Sequence, residues 1–368
     1  MDKFLLGELG ETGELRCRAS KNFADWLGEQ NISLAVSTYQ SNRLLFVSPG
    51  KSSPSGRSKL NVQARVFDRP MGIYASNDKI TVACRNSIWE LDDKCADQAN
   101  INAWDALFAP SRMYVTGSVD AHEIVVTGPG EKVIFANTQY DCLSKVSNSN
   151  SFEIAWRPRF LAEITGDDRA HLNGICLADN KIDSVTFCGF ADSSFGWKKS
   201  KHDGGFLFDV NSHCVLAEGL SMPHSPRFRD DSYWLLNSGK GQLGYIKEKS
   251  FKPLCSLPGF LRGLAFKGNY AITGLSKLRS KAFKDLHIEQ SLARGGTPQG
   301  ACGLCVVNLI NGRLEHYLFF EEPIRELFDV QILNYSSPRL LGFQDDSLSR
   351  FVKAPGKDPA MRDRLHPD

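Results

Sequence analysis

His122, His171 and His224 each open a short apolar run and stand 49 and 53 residues apart. Imidazole is a preferred ligand for catalytic divalent metals, and three imidazoles leave coordination positions open for water or substrate. Near-even spacing of one chemistry-bearing residue implies that successive structural repeats deliver all three to a single place.

The repeat is visible when segments are laid under one another. Those starting at Met71, His122, Ser225 and Arg262 share a grammar: a short apolar run, a turn rich in Gly, Asn or Asp, a β-branched or aromatic run, a second polar turn and a third run. Fourth strands are expected at Leu60–Phe67, Phe152–Trp156, His213–Glu218, Phe251–Leu257 and Arg313–Phe320. Four-strand units recurring every 40 to 50 residues are the signature of an all-β fold, the β-propeller. The central hairpins can be read seven times, at Leu34, Ile80, Val133, Ser184, Tyr233, Tyr270 and Arg339, whereas clear inner strands number six. Placing Phe23–Glu29 as the missing inner strand, and Leu15–Ser20 as the last blade's fourth strand, favours seven blades over six. An N-terminal strand then closes the ring and removes exposed sheet edges. The expected organisation is one propeller domain over residues 1–353 and a disordered tail over 354–368.

In a propeller the inner strands line a central channel, and the residues before them crowd one mouth of it. Aligning the inner strands puts Met71, His122, Asn173, Pro226, Arg262 and Asp329 at one level, and Arg69, Asp120, His171, His224, Phe260 and Leu327 two residues earlier. Polar groups gathered so densely imply a metal, a ligand or ordered water between them, because burying them without partners is costly. In this reading His122, His171 and His224 are metal ligands. Asp120 or Asp329 is a fourth ligand, a partner fixing a histidine tautomer, or a general base. Arg262 grips an anionic substrate by its two-pronged guanidinium, with Asn173 and Arg69 lining the substrate site. The competing reading has each histidine capping a strand or bonding a neighbouring blade.

Composition narrows the classes. The net charge of +2 over 368 residues lacks a basic stripe with interleaved aromatics, which argues against nucleic acid. No apolar stretch approaches membrane-spanning length, and the opening MDKFLLGELGETGELR is unlike a secretory leader. A cytoplasmic location is expected, and ten scattered cysteines fit reduced thiols better than a disulfide framework. Cys302 and Cys305 form a CxxC that runs into a strand and reads as structural, whereas Cys142 sits in a polar hairpin. Two long insertions, 190–205 and 278–300, interrupt the repeat as functional loops do. The first carries Trp197, Lys198, Lys199 and His202, and Trp197 joins the expected substrate-binding set. The motif GKGQLG at Gly239 lies in a hairpin and not before a helix, so it is a turn.

The stretches VSTYQ at Val36, FDRPMG at Phe67, HLNG at His171, MPHSPR at Met222, LNSGKGQLG at Leu236, LPGFLRGLAF at Leu257 and GLSK at Gly274 resemble the signature of a bacterial family of unknown function. They span nearly the whole chain, and the resemblance implies no established reaction. More loosely, the layout is similar to the propeller superfamily of strictosidine synthases and gluconolactonase-like lactonases, which hold a divalent metal in the channel. Those lactonases bind calcium mainly through carboxylate and amide oxygens. The imidazole-rich set here departs from that pattern and favours Zn, Fe, Cu or Mn.

Two functions from different classes follow. One is a metal-dependent enzyme acting on a small anionic or peptide-like substrate by hydrolysis, lyase or isomerase chemistry, or oxidation; a metal-free variant would use the histidines as acid and base. The other is a non-catalytic propeller that binds a protein or peptide partner through its rim loops.

Overall fold

A computed structural model describes residues 3–9, 13–52, 58–95, 104–128, 130, 132–278 and 285–351. They fold into an all-β propeller of six blades. Blades 2, 3 and 4 are consecutive four-stranded meanders whose inner strands are Ala121–Thr127, Leu172–Ala178 and Pro223–Arg229. Blade 1 runs outward from Ile73–Ala75 and blade 5 from Phe260–Lys267. Each inner strand lies against the next, so the six close into a ring.

Local chemistry explains the hairpins. Asp179-Asn180, Asp230-Asp231 and Glu248-Lys249 are two-residue turns with positive φ at both positions, the twist that matches flanking strands. At the opposite end of blades 2, 4 and 6, a short 3-10 turn ends on a left-handed residue, Asp141, Gly241 and Asn42 respectively. A hydroxyl at or after the second strand clasps the carbonyl entering the next blade. Ser37 reaches Met71 O at 2.5 Å, Thr138 reaches Leu172 O at 2.5 Å, Ser238 reaches Leu261 O at 2.7 Å and Ser276 reaches Leu327 O at 2.9 Å.

The ring has six blades and not the favoured seven, because the first and last units are two parts of one blade. Asp329–Leu333 supplies the inner strand of blade 6, and Ser33–Ser37, Arg43–Ser52 and Ser58–Val66 supply the outer three. N-terminal strands therefore do close the ring, through pairing of Asp329 with Ser37 and Leu333 with Ser33. Phe23–Glu29 is a helix, α1, which buries Phe23, Trp26 and Leu27 between blades 5 and 6. The strand Gly13–Ala19 extends blade 5 beyond Leu314–Phe320. Pro338–Leu340 adds a parallel edge to blade 1 through Ala106–Phe108, so Arg339 starts no blade of its own. The tail from 354 onward lies outside the described residues.

Hydrophobic cores lie between neighbouring blades. At the channel, the odd blades carry glycine where the even blades carry bulk. A Cβ on Gly72 would fall 2.8 Å from Glu123 Cα, one on Gly174 2.4 Å from Pro226 Cδ, and one on Gly263 2.5 Å from Val330 N. Side chains from the even blades fill the space so released. Glu123 accepts Ile175 N–H at 2.9 Å, Arg227 Nε donates to Leu264 O at 2.9 Å, and Asp329 accepts Ile73 N–H at 2.8 Å. Each reaches from an even blade to the next odd one, giving a pseudo-threefold plug.

Candidate functional site

The residues at the start of the inner strands form the mouth above this plug. A left-handed residue precedes each of blades 1 to 4: Arg69 at φ 47°, Asp120 at 50°, His171 at 59° and Met222 at 46°. That turn corrects the sequence alignment. His122, Asn173 and His224 occupy equivalent positions, two residues after it, and His171 is the displaced one. The equivalence extends to bonding, since His122 Nδ1 lies 2.9 Å from Asp120 O and His224 Nδ1 lies 2.9 Å from Met222 O.

All three imidazoles are anchored through Nδ1. Thr138 Oγ1 donates its proton to Leu172 O, so at 2.8 Å it accepts from His122 Nδ1–H. His171 Nδ1 faces Asp168 Oδ1 at 2.9 Å, while Asp168 Oδ2 accepts Trp197 Nε1–H at 3.0 Å. In a neutral ring so anchored Nε2 carries the lone pair, the tautomer a metal or a proton donor needs. Asp141 holds the loop beneath His171 by accepting the N–H groups of Arg169, Ala170 and Leu172 at 2.6, 3.1 and 3.1 Å.

The rings of His122 and His171 are edge-on at 4.9 Å, and His122 to His224 is 6.5 Å. Among the described residues, no three His, Cys, Asp or Glu side chains already converge as a metal would hold them. Asn173 Nδ2 stands 3.5 Å from His224 Nε2, and the Asn173 carbonyl accepts Thr186 Oγ1–H at 2.7 Å. Arg262 is buried, its guanidinium 4.6 Å from the centre of Phe328, whose ring is 5.1 Å from His122.

Burial and the neighbouring charges of His171 and Arg262 push His122 down to about 4, against the opposing pull of Asp120. Burial, then Arg262 and His122, hold His224 well below the ordinary histidine range. The imidazoles of His122 and His224 are thus neutral at pH 7. Burial alone would raise Asp120, but His122, His171, Arg69 and Arg262 together hold it below the usual carboxylate value.

The mouth therefore gathers His122, His171, His224, Asn173, Arg262 and Trp197. Asp120 and Arg69 stand at its edge, with Arg69 lying over the Tyr39 ring at 4.4 Å. Asp329 belongs to the plug, where both its oxygens accept backbone N–H groups. Trp197 is buried with its ring 4.2 Å from His171, so it backs that imidazole. The two insertions meet: Trp197, Leu286, Ile288 and Leu292 pack in one cluster with Phe260 and Met222, and α2, His287–Arg294, rides on it. Cys142 is fully buried beside Ser144, its thiol pushed up to about 11 by burial, so its polar hairpin does not expose it. All ten cysteines are free, Cys302 and Cys305 among them.

Sequence reasoning missed Glu123, Thr138, Asp141, Asp168, Arg227 and Phe328. The readable signal was a charged residue inside an apolar inner-strand run, as in HEIVV and SPRF.

Fold and mouth together define a six-bladed β-propeller with neutral imidazoles at one end of a plugged channel. The chain belongs to the family described as a domain of unknown function, DUF4915, whose model matches residues 21–341. No curated protein matches it in sequence. Among solved structures, one from a nidogen/laminin complex is similar, with TM-score 0.52 at 9% identity over 83% of this chain and 99% of that one. A virginiamycin B lyase from Staphylococcus aureus with quinupristin gives 0.39 at 12% over 83% and 99%. A gluconolactonase from Xanthomonas campestris gives 0.44 at 9% over 78% and 82%. At 9% identity the likeness to the first of these structures concerns the fold alone. Among the described residues, no helix is long and apolar enough to cross a membrane.

Proposed function

We propose that the mouth is the active centre of an enzyme acting on a small anionic substrate, with His122, His171 and His224 offering Nε2 to a divalent transition metal of the Zn, Fe, Cu or Mn group. One observation carries this reading: three of three imidazoles donate Nδ1–H to a fixed oxygen, as metal-bound histidines do. Two are also held neutral by burial. The donor chemistry fits, although the three rings must draw closer to share one ion.

A bound metal would polarise a substrate oxygen or lower the pKa of water. The chain's own residues do the rest. Arg262, stacked on Phe328, orients a carboxylate or phosphate. Asp120, kept ionised and 33% exposed, takes up a proton at the rim. The plug closes the channel behind them, so substrate enters and product leaves by one opening.

A second reading dispenses with metal and uses Asp168 and His171 as a proton-transferring pair, with His171 Nε2 the acting atom. The 2.9 Å carboxylate–imidazole bond favours it. Elemental analysis of protein purified without chelators or a nickel column separates the two. Near-stoichiometric metal that is lost in His171→Ala supports the first reading. Metal-free protein that gains no thermal stability from added Zn or Mn rules it out and leaves the dyad.

A further inference from the structure

A cleft of about 260 Å³ opens between blades 1 and 2, at the end of the blades away from the imidazole mouth. Among the described residues its lining brings Lys79, Arg112, Lys132 and Lys145 together with Tyr114 and one carboxylate, Glu90. Four cations meet around one small cleft, and the two carboxylates paired with Arg112 and Lys145 leave a local positive excess. The groups are also arranged in advance. Glu90 is buried and holds Arg112 Nη1 at 2.9 Å, so the mostly exposed guanidinium is fixed on one side. Arg112 is bonded to Tyr114 as well. Lys145 is steadied by a second carboxylate, Glu153, at 2.7 Å. Lys132, at the start of its strand, is exposed.

We propose that this cleft binds a compact oxyanion carrying two or more negative charges, such as a diphosphate group. Arg112 meets it by a two-pronged contact, Lys79, Lys132 and Lys145 supply charge, and Tyr114 supplies a further donor. The cleft lies outside the mouth and shares none of its residues, so it stands whether or not the mouth holds a metal. Its size suits a small anion and not a long chain, and its charges, being exposed, make binding sensitive to salt.

The test is calorimetric titration of the full chain with inorganic pyrophosphate at low and at physiological ionic strength. Expected are one site per chain and affinity that falls as salt rises. In Arg112→Ala/Lys132→Ala affinity drops at least tenfold, and in Lys145→Ala it drops severalfold. His171→Ala, at the mouth, binds as the parent does. Every substituted side chain of the cleft is at least partly exposed, and unchanged thermal unfolding confirms that the variants fold. Absence of binding at millimolar pyrophosphate, a double variant within twofold of the parent, or loss of binding in His171→Ala would each overturn the proposal.

Discussion

The mouth and the plug are adjacent layers of one channel, and both bury polar side chains from successive blades, yet they satisfy them in opposite ways. In the plug every charge is spent on protein: Glu123 and Asp329 flank Arg227, and all three also bond the backbone of the next blade. In the mouth each imidazole fixes Nδ1 on protein, and Nε2 of His224 meets only the long 3.5 Å contact from Asn173. Saturated polar groups hold a ring together, whereas half-used ones are what the proposed ligand site needs. The difference can be broken or sharpened by experiment.

The largest contrast is between two buried arginines. Arg227→Met strands two carboxylates without their cation, and a broken buried ion pair costs about 3–5 kcal/mol. Arg262→Met removes a guanidinium stacked on Phe328 and should cost about 1 kcal/mol. Urea unfolding measures both. Equal losses would mean that the mouth is as structural as the plug.

Next comes pH, where the layers carry opposite signs. Burial and the nearby Glu123 push Asp329 up to about 7. Unfolded, it titrates near 3.9, so as pH rises from about 4 to 7 the unfolded state ionises first and stability falls, by up to about 4 kcal/mol. His122 is depressed to about 4 by burial. As pH falls from about 6.5 to 4 the unfolded imidazole takes a proton that the folded one refuses, and stability drops by up to about 3 kcal/mol. Between pH 4 and 6.5 the two slopes oppose each other in the parent protein. Asp329→Asn should expose the mouth's slope, with stability lost toward acid, and His122→Gln should expose the plug's, with stability gained toward acid. Identical pH profiles in the two variants would show that the layers do not titrate separately.

How much of this was legible follows from the same comparison. Recurring apolar and β-branched runs separated by turn residues revealed the meanders, and the fourth strands at Phe251–Leu257 and Arg313–Phe320 fell where Ser250–Ser256 and Leu314–Phe320 form. Blade number was not legible, because pairing of Asp329–Leu333 with Ser33–Ser37 joins residues about 300 positions apart and leaves no local pattern. The three histidines could be gathered because each begins a blade, but their register could not. It depends on the left-handed turn at Arg69, Asp120, His171 and Met222, four residue types with no shared preference for positive φ. Asp168 and Asp141 were invisible for another reason. They lie in loops, and only the folded chain shows which N–H groups and imidazole they meet.

A smaller effect should come from metal itself. If the imidazoles share an ion, adding Zn or Mn at a hundredfold excess over its dissociation constant stabilises the parent by about 2.7 kcal/mol. His224→Ala abolishes the gain and Asp329→Asn keeps it, which thermal unfolding with and without metal resolves. A gain surviving in His224→Ala would place the ion elsewhere.

The finest distinction lies within the mouth, at the residue that backs His171. Trp197 contributes both a ring face against the imidazole and an indole N–H to Asp168. Trp197→Phe keeps the face and deletes the donor, so Asp168 loses one buried hydrogen bond, worth about 1 kcal/mol of stability. With that donor gone, the carboxylate concentrates its hydrogen bonding on the Nδ1–H of His171. The Nδ1–H resonance of His171 should therefore move downfield in Trp197→Phe and upfield in Asp168→Asn, which proton NMR resolves. No movement in either would mean that the carboxylate merely packs beside the ring, and the mouth would then contain two oriented imidazoles instead of three.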